Sequence, residues 1–194
     1  MNIAAFLKAL EATAVATKIR ESLYVFPFLE STHVIGLALV FGTIAIIDLR
    51  LIGLASSQRS FKRIYSDILK WTWAAFALTA LTGALMFITN ATVYYHNFYF
   101  RAKMLLLVLA GINMGVFELT LGRRVDTWDK EPSAPPLGRA VGVLSIALWI
   151  AVIFMGRLIG FTTTRAAVVA PPSNSVNFDD FLNTPGPPPT PPKK

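Results

Sequence analysis

Four long apolar blocks, separated by short polar stretches, decide what this chain can become. They occupy about residues 23–47, 71–95, 98–121 and 137–160 of 194. Each approaches or exceeds the roughly 20 residues that a helix needs to cross a bilayer core about 30 Å thick. The block at 71–95 holds no Asp, Glu, Lys or Arg, and the first holds one acid and one base, Glu30 and His33. In hydrocarbon every backbone polar group must be satisfied within the segment, so blocks of this length become helices. Joined by short loops, they have only one another to bury against. The predicted fold class is all-α: an integral membrane four-helix bundle over residues 23–165, with the lipid bilayer as its first partner.

The flanks read differently. Over residues 1–22, Ile3, Phe6, Leu7, Leu10 and Ala14 follow helical spacing while Lys8, Glu11, Lys18 and Arg20 are polar. That pattern predicts an amphipathic interfacial helix along the membrane surface. It lacks the compact apolar core and small-residue cleavage site of a signal peptide, so the segment is expected to stay attached. At the other end, eight of the chain's 12 prolines fall in 171–192, which predicts a disordered Pro-rich tail over 166–194. Residues 177–182 (NFDDFL) form its one element suited to docking a partner. Residues 129–136 (DKEPSAPP) are a charged, proline-rich connector between the third and fourth helices.

The net charge is +7, but Lys and Arg cluster beside helix ends, where anionic lipid head groups account for them. No nucleic acid is expected as a partner. The chain has no cysteine, which excludes disulfides, thiolate metal sites and iron–sulfur clusters. Arg50, Arg59, Lys62, Arg63, Lys70, Arg123, Arg124, Lys130 and Arg139 lie on one side of the predicted bundle; Lys8, Lys18, Arg20, Arg101, Lys103, Arg157 and Arg165 lie on the other. Positive loops stay cytoplasmic, so nine against seven places both termini on the periplasmic side of a bacterial inner membrane. Gly111/Gly115, Gly138/Gly142 and Gly156/Gly160 are spaced for close helix approach, within the bundle or in a homodimer or larger membrane complex. No phosphate loop, nucleophile elbow, zinc-protease helix or dinucleotide fingerprint occurs, which argues against a hydrolase or a kinase.

Chemistry concentrates at one end. Glu30 and His33 stand at i, i+3 on one helix face, and ionisable residues inside a membrane mark either a function or a polar knot between helices. The same level of the bundle receives Met86, His96, Arg101, Lys103, Met104 and Met155. One reading is haem b, with His33 and His96 as axial ligands, Arg101 or Lys103 pairing the propionates and Glu30 orienting an imidazole. Another is copper, since imidazole and thioether together suit Cu(I) and His33, Met86 and Met104 supply them. Asp48 and Arg50 read as a charged pair at head-group level, Asn113 as an interhelical hydrogen-bonder, and Glu118 as a helix-end carboxylate.

Residues 24–54 (YVFPFLESTHVIGLALVFGTIAIIDLRLIGL), 71–87 (WTWAAFALTALTGALMF) and 98–117 (FYFRAKMLLLVLAGINMGVF) resemble an uncharacterised family of four-helix bacterial membrane proteins. More distantly, the Glu-x-x-His of the first helix and Phe100-x-x-Lys103-x-x-Leu106 of the third are similar to the copper-resistance protein D family and to the HemJ-type protoporphyrinogen oxidases. The resemblance implies copper handling or haem-linked porphyrin oxidation, with His33 and Lys103 as site residues. A HemJ-like protein carries a second helix histidine; here the second, third and fourth helices have none, which leaves a haem with one protein ligand. Three readings stay open: a haem-binding protein of electron transfer or porphyrin redox chemistry, a permease or accessory for copper or another small solute, and a non-catalytic membrane scaffold.

Overall fold

A computed structural model describes residues 2–55, 60–129, 131 and 133–169. Among them there is no strand, and four helices are long and apolar enough to cross a membrane. Residues 1–160 form one compact unit; of the second, 161–194, the described part is the end of the last helix. Two short helices open the chain, α1 (Ile3–Glu11) and α2 (Ala14–Glu21), followed by α3 (Val25–Ile52), α4 (Phe61–Thr89), α5 (Ala91–His96), α6 (Phe98–Thr120), α7 (Val125–Trp128) and α8 (Pro136–Val169). The chain is thus a multi-pass membrane protein whose spans are α3, α4, α6 extended through α7, and α8.

Their register follows from glycines. A Cβ on Gly36 would lie 2.5 Å from Thr79 Oγ1, and one on Gly83 would lie 3.0 Å from the His33 ring. Partner numbers therefore fall along α4 as they rise along α3, and the two helices run antiparallel. Similarly, Asn113 Nδ2 donates to Val141 O at 3.1 Å, while a Cβ on Gly156 would lie 3.5 Å from Lys103 Nζ, so α6 and α8 are antiparallel too. Gly142 brings α8 against α3, where its Cβ would sit 3.1 Å from the Asp48 carbonyl oxygen. Gly138, Gly142 and Gly156 thus serve packing inside the bundle, whereas Gly111, Gly115 and Gly160 have open space in front of them.

Two apolar clusters fill the interior. Val40, Ala75, Ala110, Trp149 and Val152 occupy mid-bundle. At one end Ile47, Leu51, Phe61, Phe117, Leu121 and Trp128 pack together, with the Phe61 ring 4.9 Å from Trp128 and 5.5 Å from Tyr65 between centroids. At the other end Phe100 stacks 5.3 Å from Phe87, and Tyr94 lies against both.

The amphipathic N-terminal segment is two helices, because Thr13 breaks it: its side chain accepts from Ala16 N and caps α2. Leu7, Ala16 and Ile19 are buried, and the polar residues dock rather than merely facing solvent. The Glu11 carboxylate accepts from Thr92 N at 2.7 Å, at the start of α5. Arg20 Nη1 donates to Thr89 O at 3.0 Å, at the end of α4. A carboxylate on a helix N-terminus and a guanidinium on a helix C-terminus satisfy backbone groups that have no partner within their helices, with the favourable sign of the helix dipole. Asn90, between α4 and α5, breaks the apolar block expected to run to residue 95. That helix also starts earlier than its hydropathy suggests, at Phe61, since Ser60 caps it by accepting from Arg63 N. The fourth helix is Pro136–Val169; the Pro-rich tail from residue 170 on lies outside the described residues.

The connector before α8 is fixed in place. Trp128 is buried, and Ala134 N donates to Leu51 O at 3.0 Å. Asp129 accepts from Ser60 Oγ at 2.6 Å and from Lys62 N at 2.7 Å, adding a second cap to α4. Desolvation pushes this carboxyl up, but the Ser60 hydroxyl, the Lys62 and Phe61 amides and the Arg50 charge outweigh it and hold Asp129 below the usual carboxylate range. A depressed folded-state value gives stabilisation that is complete above the unfolded value, near pH 4, and is withdrawn as pH falls through the folded one. Thermal midpoints of wild type and Asp129→Asn in detergent should therefore converge as the pH is taken below about 4. A constant gap across that window would show that Asp129 does not carry this dependence.

Candidate functional site

His33 sits on the α3 face that meets α4. Its Nδ1 lies 3.0 Å from Thr79 O and 3.1 Å from Thr82 Oγ1. A carbonyl oxygen only accepts, so Nδ1 carries the proton and Nε2 is the ring nitrogen with the free lone pair. The Thr82 hydroxyl is held in turn, donating to Leu78 O at 2.8 Å. Gly83 supplies the room, since any side chain there would press on the imidazole edge. No hydrogen bond to Nε2 is present among the described residues. A histidine fixed through Nδ1–H on a backbone carbonyl, with Nε2 open, has the arrangement that metal-ligating imidazoles use.

Lys103 approaches from α6, and it is the charge that acts on His33. Its stem runs across Gly156 of α8, with Nζ, Cε and Cδ 3.5–3.9 Å from where a Cβ would be. No carboxylate pairs with it among the described residues. Glycines make the space for both groups: Gly83 of α4 faces the imidazole from α3, and Gly156 of α8 faces the ammonium from α6.

The other residues singled out in the sequence are not gathered at this point. Glu30 is exposed, and its charge reaches Tyr94 instead: burial, then the Glu30 carboxylate, push that phenol up. His96 is an exposed residue of α5 whose Nδ1 lies 2.8 Å from its own helix's Thr92 O. Arg101 is exposed and Met104 is 39% exposed, while Met86 and Met155 are half-buried. Among the described residues no three His, Asp or Glu side chains converge as a metal site.

A second polar group, not foreseen as one, lies at the opposite end of the bundle. Asp48 and Arg50 do not pair at head-group level: two residues apart on a helix, they leave it on different faces. Arg50 is fully buried and its Nη2 donates to Asp129 O at 3.3 Å and Glu131 O at 2.9 Å. Asp48 turns into the bundle, 4% exposed, with the Ser145 side chain beside it. Nearby, the Tyr65 hydroxyl donates to the Glu118 carboxylate. Asn113 is the interhelical hydrogen-bonder it was expected to be.

One comparison places the chain. A family of unknown function, DUF6644, matches residues 12–162. The chain belongs to this family. The matched span takes in α2, the first three membrane-spanning helices, nearly all of the fourth span and both polar clusters. No curated protein and no solved structure matches the chain; the likeness of Glu30-x-x-His33 and Lys103 to the copper-resistance protein D and HemJ families rests on those residues alone.

Proposed function

We propose that this protein binds a cofactor or ligand within the membrane at the His33–Lys103 site, and that haem is the group that best fits it. The observation that carries the reading is the pairing of an imidazole whose Nε2 is open with an ammonium that has no carboxylate partner. A bare ammonium in a bundle interior is costly, and an acidic group on the bound molecule offsets that cost. An open, oriented Nε2 asks for a proton donor or a metal. Haem would meet both demands at once, with His33 holding the metal and Lys103 an acidic side group, and would supply one-electron chemistry. His33 would then be its single protein ligand, since His96 is exposed in α5.

The test is a reduced-minus-oxidised visible spectrum of the full chain purified with ample haem supply. A stoichiometric Soret band is expected in wild type, lost in His33→Ala and retained with weaker haem affinity in Lys103→Met. If wild type stays colourless, or His33→Ala keeps the wild-type spectrum, the haem reading fails.

A further inference from the structure

A cavity of about 180 Å³ runs from mid-bundle toward the end opposite His33, between α3, α4, α6 and α8. Its walls are mainly apolar, with Val40, Ile44, Phe76 and Leu107 among them, and Asp48 stands on its lining. Asp48 is 96% buried, being 4% exposed, and its Oδ2 has no hydrogen-bond partner. Buried polar atoms in folded proteins are nearly always satisfied, and a carboxylate at membrane depth is costly without a cation or a donor.

The cavity's own side chains do not provide that donor. Ser145 lies beside the Asp48 carboxyl but leaves Oδ2 without a partner. The Tyr65 hydroxyl goes to Glu118, Asn113 Nδ2 goes to Val141 O, and Thr72 Oγ1 goes to Ile68 O. Arg50 is turned to the connector carbonyls. The backbone is arranged to keep the acid in place: glycine at position 142 lets α8 pack closely on α3, where a Cβ would lie 3.1 Å from the Asp48 carbonyl oxygen, and Ser145 follows one turn later.

We infer that this cavity is a second ligand site, taking a small lipophilic amine whose protonated nitrogen meets Asp48 Oδ2 and whose apolar body fills the space behind it. Size agrees, since an apolar cavity of about 150 Å³ holds benzene. A lone water would satisfy the oxygen but would find few polar partners in the remaining volume. Access agrees as well: Trp73, Gly111 and Met114 on the lining are exposed on the bundle surface, so the cavity opens sideways, toward lipid, where such a molecule partitions. The inference does not depend on the His33 reading.

Trp73 and Trp149 line the cavity and report its occupation. The full chain in phosphatidylcholine nanodiscs, titrated with benzylamine, should show a saturable change in tryptophan fluorescence. Asp48→Asn, which keeps the shape, should weaken it about ten- to a hundredfold, as befits a buried charge-assisted hydrogen bond, and benzoate should give no saturable change. Ala110→Leu fills the cavity while leaving Asp48 in place, and should abolish the response. Benzylamine failing to saturate, toluene binding as tightly as benzylamine in wild type, or Ala110→Leu binding the amine as wild type does would each overturn the assignment. The Ala110→Leu result decides the matter even if Asp48→Asn does not fold.

Discussion

Arg50→Ala is expected to destabilise the protein by about 3–5 kcal/mol, the scale on which removing one side of a buried, hydrogen-bonded charge site is felt. The guanidinium is wholly buried and holds the carbonyls of Asp129 and Glu131, and its charge also acts on the Asp129 carboxyl that caps α4. Truncation takes the shared donor from the two connector carbonyls and leaves a void where the buried side chain was. It also loosens a connector whose far end starts α8, so the fault reaches three spans. Arg50→Lys keeps the charge but not the planar fork that reaches two carbonyls, and should fall between wild type and alanine. Arg123→Ala, on an exposed residue, provides the reference and should be nearly neutral. Unfolding of the three variants in detergent would measure this directly; an Arg50→Ala protein as stable as Arg123→Ala would show that the connector does not need its anchor.

Arg50 also shows where sequence reading stops. The four spans are legible because hydropathy over about 20 residues is a local property. His33 is legible because an imidazole inside such a span is rare enough to stand out. Lys103 is singled out by its place at the head of the third span. What spacing cannot show is which neighbour a side chain meets. α3 is apolar nearly all round, so its pattern does not mark the face that turns inward, and Asp48 and Arg50 look like a pair when one enters the bundle and the other the connector. Glu11 and Arg20 look like a solvated polar stripe, yet each caps a helix end more than 60 residues away. Glycines carry the same ambiguity. A Gly-x-x-x-Gly spacing is the same for Gly111 and Gly115, which meet nothing, as for Gly138 and Gly142, which touch other parts of the bundle.

Gly36, outside any such pair, is where close approach matters most for the His33 site. Gly36→Ala should destabilise by about 1–3 kcal/mol, the usual range for overpacking, although on helix propensity alone replacing glycine by alanine stabilises. The reason is contact: the new Cβ would be 2.5 Å from Thr79 Oγ1, which is itself bonded to Ala75 O at 2.8 Å. Either that hydroxyl turns away and loses its acceptor, or α3 and α4 separate. Separation draws the Thr79 carbonyl from His33 Nδ1 and releases the imidazole from its fixed tautomer. Removing the hydroxyl removes the conflict, because Thr79 Cβ is at an ordinary 3.6 Å. The double variant Gly36→Ala/Thr79→Ala should thus recover most of the loss, a clear departure from additivity between touching residues. Gly42→Ala, on the same helix with open space before it, should be neutral or slightly stabilising. Unfolding in detergent gives the energies, and the nitrogen chemical shifts of the His33 ring show whether Nδ1 keeps its acceptor. Equal destabilisation of the single and double variants would mean that the Gly36–Thr79 approach does not set the spacing of α3 and α4, and the geometry that leaves Nε2 open would need another origin.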